Sequence, residues 1–254
     1  MRLLLLLCGL WSASFAVMAA QPNIAAAANI KFAMQKIVAN YQKDTGNKVR
    51  VSYGSSGNFV SQLSHGAPFE LFLSADEKYV TLLAQAGLTA DSGVIYAYGK
   101  LALVAPNNSS LTLDPQLDGV KQLLDKQQLK RFAIANPEHA PYGERARELL
   151  KSKGLWQPLQ DSLVFGENVS QAAQFALSGS TDGGIVALSL AVAPQFQQRG
   201  HYLAIPESEY SPIAQRMVLM KQASAEAKQF YQYLQSDRAR AVFSDFGFGL
   251  PDKP

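Results

Sequence analysis

The sequence predicts an α/β protein of two lobes, each a mainly parallel sheet flanked by helices. Two observations carry that prediction. Short apolar, strand-like runs alternate with stretches whose apolar residues recur at helical spacing, and repeated strand–helix units imply parallel sheets covered on both faces. The alternation runs twice, in blocks set apart by polar, proline-bearing passages at residues 106–110 and 206–212. Lobe 1 is expected over residues 21–105 plus 210–254 and lobe 2 over residues 106–209, joined by two crossovers. With 254 residues, 48% of them hydrophobic, the chain has the apolar material for a core of that size.

In order, residues 24–28 read as a strand and 30–44 as a helix, with Met34, Ile37, Val38 and Tyr41 at i, i+3, i+4 and i+7 on one stripe. Gly46 suits the left-handed cap that ends it. Residues 49–53 alternate like a strand, residues 54–58 (Gly-Ser-Ser-Gly-Asn) turn, and Phe59, Val60 and Leu63 mark the next helix. Residues 70–74 make a strand, and Asp76 is a good N-cap for a helix carrying Tyr79, Leu82 and Leu83. Residues 94–98 and 101–104 are further strands. Beyond the first polar passage, residues 132–135 read as a strand, 136–141 as a loop, and 142–153 as a helix burying Tyr142, Ala146, Leu149 and Leu150. Residues 163–165 form a strand, and the helix after it sets Val169, Ala172, Ala173 and Ala176 on one face. Residues 184–188, 202–205 and 217–220 are strands, and the remainder is helical.

Residues 1–20 read as a secretory signal peptide: Arg2 starts it, residues 3–15 are mostly apolar, and Ala16-Val17-Met18-Ala19-Ala20 offers small residues for cleavage. The apolar stretch is short of the ~20 residues a membrane span needs. The single cysteine, Cys8, lies in that segment, and Leu7 before it is not the small residue of a lipoprotein site. The processed chain is expected to be cysteine-free, soluble and exported. Lys+Arg 23 against Asp+Glu 20 gives +3, or +2 once Arg2 is removed, without a long run of one sign. No concentrated basic face for nucleic acid is expected.

His65, His139 and His201 are never four apart, so a helical zinc pair is unsupported. No P-loop or G-x-G-x-x-G follows a strand, and Gly54-Ser55-Ser56-Gly57 is not the G-x-S-x-G of a hydrolase elbow. A secreted hydrolase using Ser55 or Ser56 is the competing class.

The informative positions are four strand-to-helix junctions: Ala28-Asn29, Ser55-Ser56-Gly57, Pro141-Tyr142-Gly143 and Asn168-Val169-Ser170. First-turn N–H groups lack intrahelical partners, and the macrodipole adds about half a positive charge there, so a helix start holds an anion without a cationic side chain. Each junction alone also reads as ordinary N-capping. Lys31 and Arg145 stand near the rim and are expected to face solvent.

Several strings resemble the periplasmic molybdate-binding proteins of ABC importers. They are Ala28-Asn29 with Met34-Gln35, Tyr53-Gly54-Ser55-Ser56-Gly57-Asn58, Gly66-Ala67-Pro68-Phe69-Glu70-Leu71-Phe72-Leu73-Ser74-Ala75-Asp76 and Asn136-Pro137-Glu138-His139-Ala140-Pro141-Tyr142-Gly143. The likeness continues through Glu167-Asn168-Val169, Gly184-Ile185-Val186-Ala187-Leu188-Ser189 and Phe246-Gly247-Phe248, nearly the whole processed chain.

The resemblance implies a two-lobed type II periplasmic binding fold that closes on a tetrahedral oxyanion held by neutral donors. It implies a receptor and not an enzyme, periplasmic, monomeric, without a cofactor, with an ABC permease as partner and molybdate or tungstate as ligand. Carried over by position, the contacts fall on Ala28, Asn29, Ser56, Tyr142 and Val169, with Asn29 and Ser56 also using side chains and no direct metal ligand. Some members have serine where this chain has Asn29 and tyrosine where it has Ala187; the Tyr142 hydroxyl is expected to replace the latter. A pocket of N–H and O–H groups alone rejects an oxyanion that keeps a proton, such as hydrogen phosphate. Sulfate is the near alternative, and ferric iron a more distant one.

Overall fold

The computed structural model describes residues 21–252; the expected signal peptide, residues 1–20, lies outside the described residues. The first block comprises β1 (Asn23–Ala27), a 3-10 turn (Ala28–Ile30), α1 (Lys31–Thr45), β2 (Arg50–Gly54), α2 (Ser56–Ser64), β3 (Leu71–Leu73), α3 (Glu77–Gln85) and β4 (Val94–Gly99). The second comprises β5 (Leu101–Pro106), α4 (Asp118–Asp125), β6 (Phe132–Ala135), α5 (Pro141–Ser152), α6 (Trp156–Leu159), β7 (Leu163–Gly166), α7 (Val169–Ala176), β8 (Gly183–Ala187), α8 (Leu188–Ala191), α9 (Pro194–Gln197) and β9 (Gly200–Ala204). The chain closes with β10 (Ile213–Leu219), α10 (Ala225–Tyr233) and α11 (Asp237–Asp245).

The described residues form two five-stranded sheets, ordered β2-β1-β3-β10-β4 and β7-β6-β8-β5-β9. In the first, β1 runs parallel to β2 and β3, while β10 is antiparallel to β3 and β4. In the second, β6 runs parallel to β7 and β8, while β5 is antiparallel to β8 and β9. The sheets are therefore mixed, a refinement of the mainly parallel expectation. The reversed strand in each, β10 or β5, is the first strand laid down after the chain crosses between sheets.

Sheet membership also moves the expected boundary at residue 105. β5 belongs to the second sheet, so the chain crosses at Lys100, before the polar passage. The return, between β9 and β10, lies beside it: Lys100 pairs with Glu207 at 2.7 Å, and the Leu101 N–H donates to the Tyr210 hydroxyl at 3.0 Å.

The inner strands β1, β3, β5 and β8 form because their residues are apolar on both faces. Ile24, Ala25 and Ala26 are all fully buried, with Ile24 and Ala26 packing toward Met34, Ile37 and Phe230 and Ala25 toward Phe59, Phe72 and Val218. The α1 stripe buries Met34, Ile37 and Tyr41, leaves Val38 half-buried, and stops at Gly46 with φ 74°. Asp76 caps α3 by accepting from the Lys78 N–H at 2.9 Å. The sequence reading did not include α4, whose N-cap position is Leu117. Its capping carboxylate comes from further upstream, where Asp114 accepts from the N–H groups of Asp118 and Gly119 at 2.9 and 2.8 Å.

Candidate functional site

The carboxyl ends of parallel strands are where ligands bind in open α/β sheets, because helices begin there with unpaired N–H groups. Here those ends from both sheets meet at one small cavity. Ala27, Ala28 and Asn29 line it after β1, Ser55 and Ser56 after β2, and Ala75 after β3. Ala140, Pro141 and Tyr142 reach it after β6, and Val169 after β7. Ala28, Asn29, Ser56, Tyr142 and Val169 thus stand together, none more than 4% exposed. Its lining residues carry no formal charge.

The donors are left free by how each helix starts. No side chain caps α5, and Pro141 occupies its first turn, so the Tyr142 N–H has no capping partner. At α7, Asn168 accepts from the N–H groups of Ser170 and Gln171 at 3.0 and 3.1 Å, which leaves Val169 beyond its reach. At α2, Ser55 takes the capping role toward Asn58, and the Ser56 oxygen accepts from the Ala75 N–H at 3.0 Å. The Ser56 hydroxyl keeps its proton for the cavity.

Beneath the cavity lies a buried polar network that ties the sheets together. The Asn29 amide nitrogen donates to the Tyr142 hydroxyl at 3.2 Å and to Gln215 Oε1 at 3.0 Å. Gln215 Nε2 donates to the same hydroxyl at 2.9 Å, and the Tyr96 hydroxyl donates to Gln215 Oε1 at 2.8 Å. Ser189 donates to the Asn29 carbonyl at 2.8 Å. Sequence reasoning missed Gln215, Tyr96 and Ser189. The available signal was the alternation of Ile213, Gln215 and Met217, all buried in β10, which places a glutamine at an inward position. Ala187 caps α8 and does not line the cavity. The Tyr142 hydroxyl is engaged with Asn29 and Gln215.

Contacts from one sheet's loops to the other's close the cleft over the cavity. The Gly57 N–H donates to the His139 carbonyl at 2.9 Å, Asn58 donates to Glu167 at 2.5 Å, and Lys78 pairs with Glu144. Arg145 does not face solvent as expected: it is 16% exposed and pairs with Asp76 at 3.2 Å across the cleft. Burial pushes the Asp76 carboxyl upward, against the pull of Lys78 and Arg145.

Burial raises the Tyr142 and Tyr96 hydroxyls well above 10.0. Above pH 10 the unfolded chain therefore sheds protons that the folded chain keeps. Stability is fully present below that pH and falls as pH rises, by about 1.4 kcal/mol per unit for each tyrosine. Thermal scans from pH 8 to 11 are expected to show the melting temperature dropping above pH 10, less steeply in Tyr96→Phe. A parallel decline in both proteins would remove Tyr96 from the account.

A model of the bacterial extracellular solute-binding protein family matches residues 22–249. The chain is similar to the molybdate-binding protein ModA of Azotobacter vinelandii, 36% identical over 238 residues and covering 92% of each chain. It is 34% identical to ModA of Rhodobacter capsulatus, covering 88% of this chain and 86% of that one. The solved periplasmic molybdate-binding protein of Azotobacter vinelandii matches with a TM-score of 0.82 at 30% identity, covering 91% of this chain and 100% of that one. From its two sheets to the cleft between them, this chain belongs to the family of bacterial extracellular solute-binding proteins.

Proposed function

We propose that this chain is the substrate-binding receptor of a molybdate ABC importer. It is exported to the periplasm, carries no cofactor, acts as a monomer without catalysis, and presents its closed form to the permease. Its halves are residues 21–99 with 211–252 and residues 100–210, closing on the ion by hinge motion. The carrying observation is the uncharged cavity on which Ala28, Asn29, Ser56, Tyr142 and Val169 converge from both sheets. Backbone N–H groups of Ala28, Tyr142 and Val169, with Asn29 and Ser56 side chains, hold the oxyanion. Hydrogen bonds to charged groups contribute ~1.5–3 kcal/mol each, so about five to seven offset dianion desolvation and leave ~8–12 kcal/mol. That is a micromolar to nanomolar dissociation constant.

Tungstate shares the charge and shape of molybdate and is accepted; hydrogen phosphate carries a proton for which a donor-lined cavity offers no acceptor. Calorimetric titration with molybdate, tungstate, sulfate and phosphate tests this. Molybdate and tungstate are expected to bind at micromolar concentration or tighter and phosphate not to bind, with Ser56→Ala weakening molybdate by about 1–3 kcal/mol. No heat with molybdate, or phosphate binding as tightly, overturns the reading.

A further inference from the structure

One buried atom does not fit a cavity made of donors. Asn29 is 1% exposed and lines the cavity, yet its carbonyl oxygen Oδ1 has no hydrogen-bond partner among the described residues, while its Nδ2 is spent on Tyr142 and Gln215. In this arrangement the Tyr142 oxygen accepts twice, from Asn29 and from Gln215, and the network uses no proton of its own. A buried acceptor left unpaired beside an anion is costly twice over, through lost solvation and through repulsion.

The same heavy-atom positions allow a second arrangement. If the Asn29 and Gln215 amides both turn over, Gln215 Nε2 donates to Asn29 Oδ1 across their 3.0 Å contact. The Tyr142 hydroxyl then donates to Gln215 Oε1 across 2.9 Å. Tyr96 accepts from Gln215 Nε2 across 2.8 Å and still donates to the Ser74 carbonyl at 3.2 Å. The 3.2 Å contact between Asn29 and Tyr142 gives up its hydrogen bond, because the one Tyr142 proton is on Gln215; each of the other contacts keeps one donor and one acceptor, and Asn29 Nδ2 is released toward the cavity. Neither amide can turn alone without setting two donors or two acceptors against each other at that 3.0 Å contact.

We propose that Gln215, fully buried and outside the cavity lining, is a positioning residue for specificity: it is coupled to Asn29 so that the pair presents N–H to a fully ionised oxyanion. In the alternative setting position 29 presents an acceptor, the feature a protonated oxyanion needs. This rests on the oxyanion-receptor reading above.

The test is a double-mutant cycle of Gln215→Met and Asn29→Ala, with molybdate and phosphate titrated into each protein. Gln215→Met is expected to weaken molybdate about tenfold and to lower the molybdate-to-phosphate preference, with no further loss when added to Asn29→Ala. A purely structural role would weaken both ions alike, or add the same loss in both backgrounds, and either result overturns the proposal. Should Gln215→Met not fold, side-chain amide resonances of the wild type decide. Those of Asn29 and Gln215 are expected to shift together on adding molybdate, and a stationary Gln215 amide refutes the coupling. Absence of molybdate binding by the wild type defeats the receptor reading and is distinguishable from all of these.

Discussion

Gly57→Ala is expected to weaken molybdate binding by about 10- to 100-fold while leaving the unliganded protein as stable as before or slightly more so. The two signs come from different states of the cleft. Gly57 lies in α2 with helical backbone, where alanine is worth about 0.5–1 kcal/mol over glycine, so the unliganded chain gains if anything. In the closed cleft, a Cβ at this position would stand 2.8 Å from the His139 carbonyl oxygen and 2.9 and 3.0 Å from its Cβ and Cα. These are backbone and stem atoms of the opposite half and do not swing aside. The alternatives are to absorb an overpacking cost of ~1–3 kcal/mol or to part the halves and lose the 2.9 Å Gly57–His139 bond. On the proposed hinge closure, either falls on the closed, liganded state. Calorimetry with molybdate and a thermal scan without it measure the two signs separately. An unchanged dissociation constant would mean that the Gly57–His139 contact is absent when the ion is bound.

The junctions on which this rests were legible because a strand, a small or polar turn and a helix follow one another in the sequence. Ser55-Ser56-Gly57 and Pro141-Tyr142-Gly143 need no distant partner to be read as helix starts. What was not legible is what depends on partners far along the chain. β5 reads as the neighbour of β4 because only Lys100 separates them, yet it pairs with β8 and β9, nearly a hundred residues on. β10 was expected from Met217 and starts at Ile213, because Gln215 interrupts an apolar pattern that its hydrogen bonds to Asn29 and Tyr96 make tolerable. Arg145 reads as a solvent-facing helix residue, and its carboxylate partner Asp76 is supplied 69 residues away. The Asp114 cap of α4 hides for the same reason on a smaller scale. Helix starts are local chemistry, whereas the network beneath the cavity is assembled beside the crossover at Lys100 from residues far apart in the chain.

That network predicts the other large effect. Gly99→Ala is expected to lower the melting temperature with or without molybdate, in contrast to the variant at Gly57. Gly99 ends β4, and a Cβ there would stand 2.2 Å from the Tyr142 hydroxyl and 2.5 Å from Gln215 Nε2. Both atoms are buried side-chain ends, so they move, but only by leaving their partners. Displacing them strands buried polar groups at ~1–3 kcal/mol each, in addition to overpacking of similar size. A net loss of about 2–5 kcal/mol, at roughly 2–4 °C per kcal/mol for a chain of this length, lowers the melting temperature by about 4–20 °C. Adding Tyr142→Phe removes the atom nearest the new methyl and is expected to recover part of that stability. It does not restore Gln215, which loses the hydroxyl at 2.9 Å that helps fix its amide and, through the 3.0 Å contact, that of Asn29. The double variant is therefore expected to melt higher than Gly99→Ala and still bind molybdate weakly. Recovery of both properties together would show that the Tyr142 hydroxyl serves packing alone.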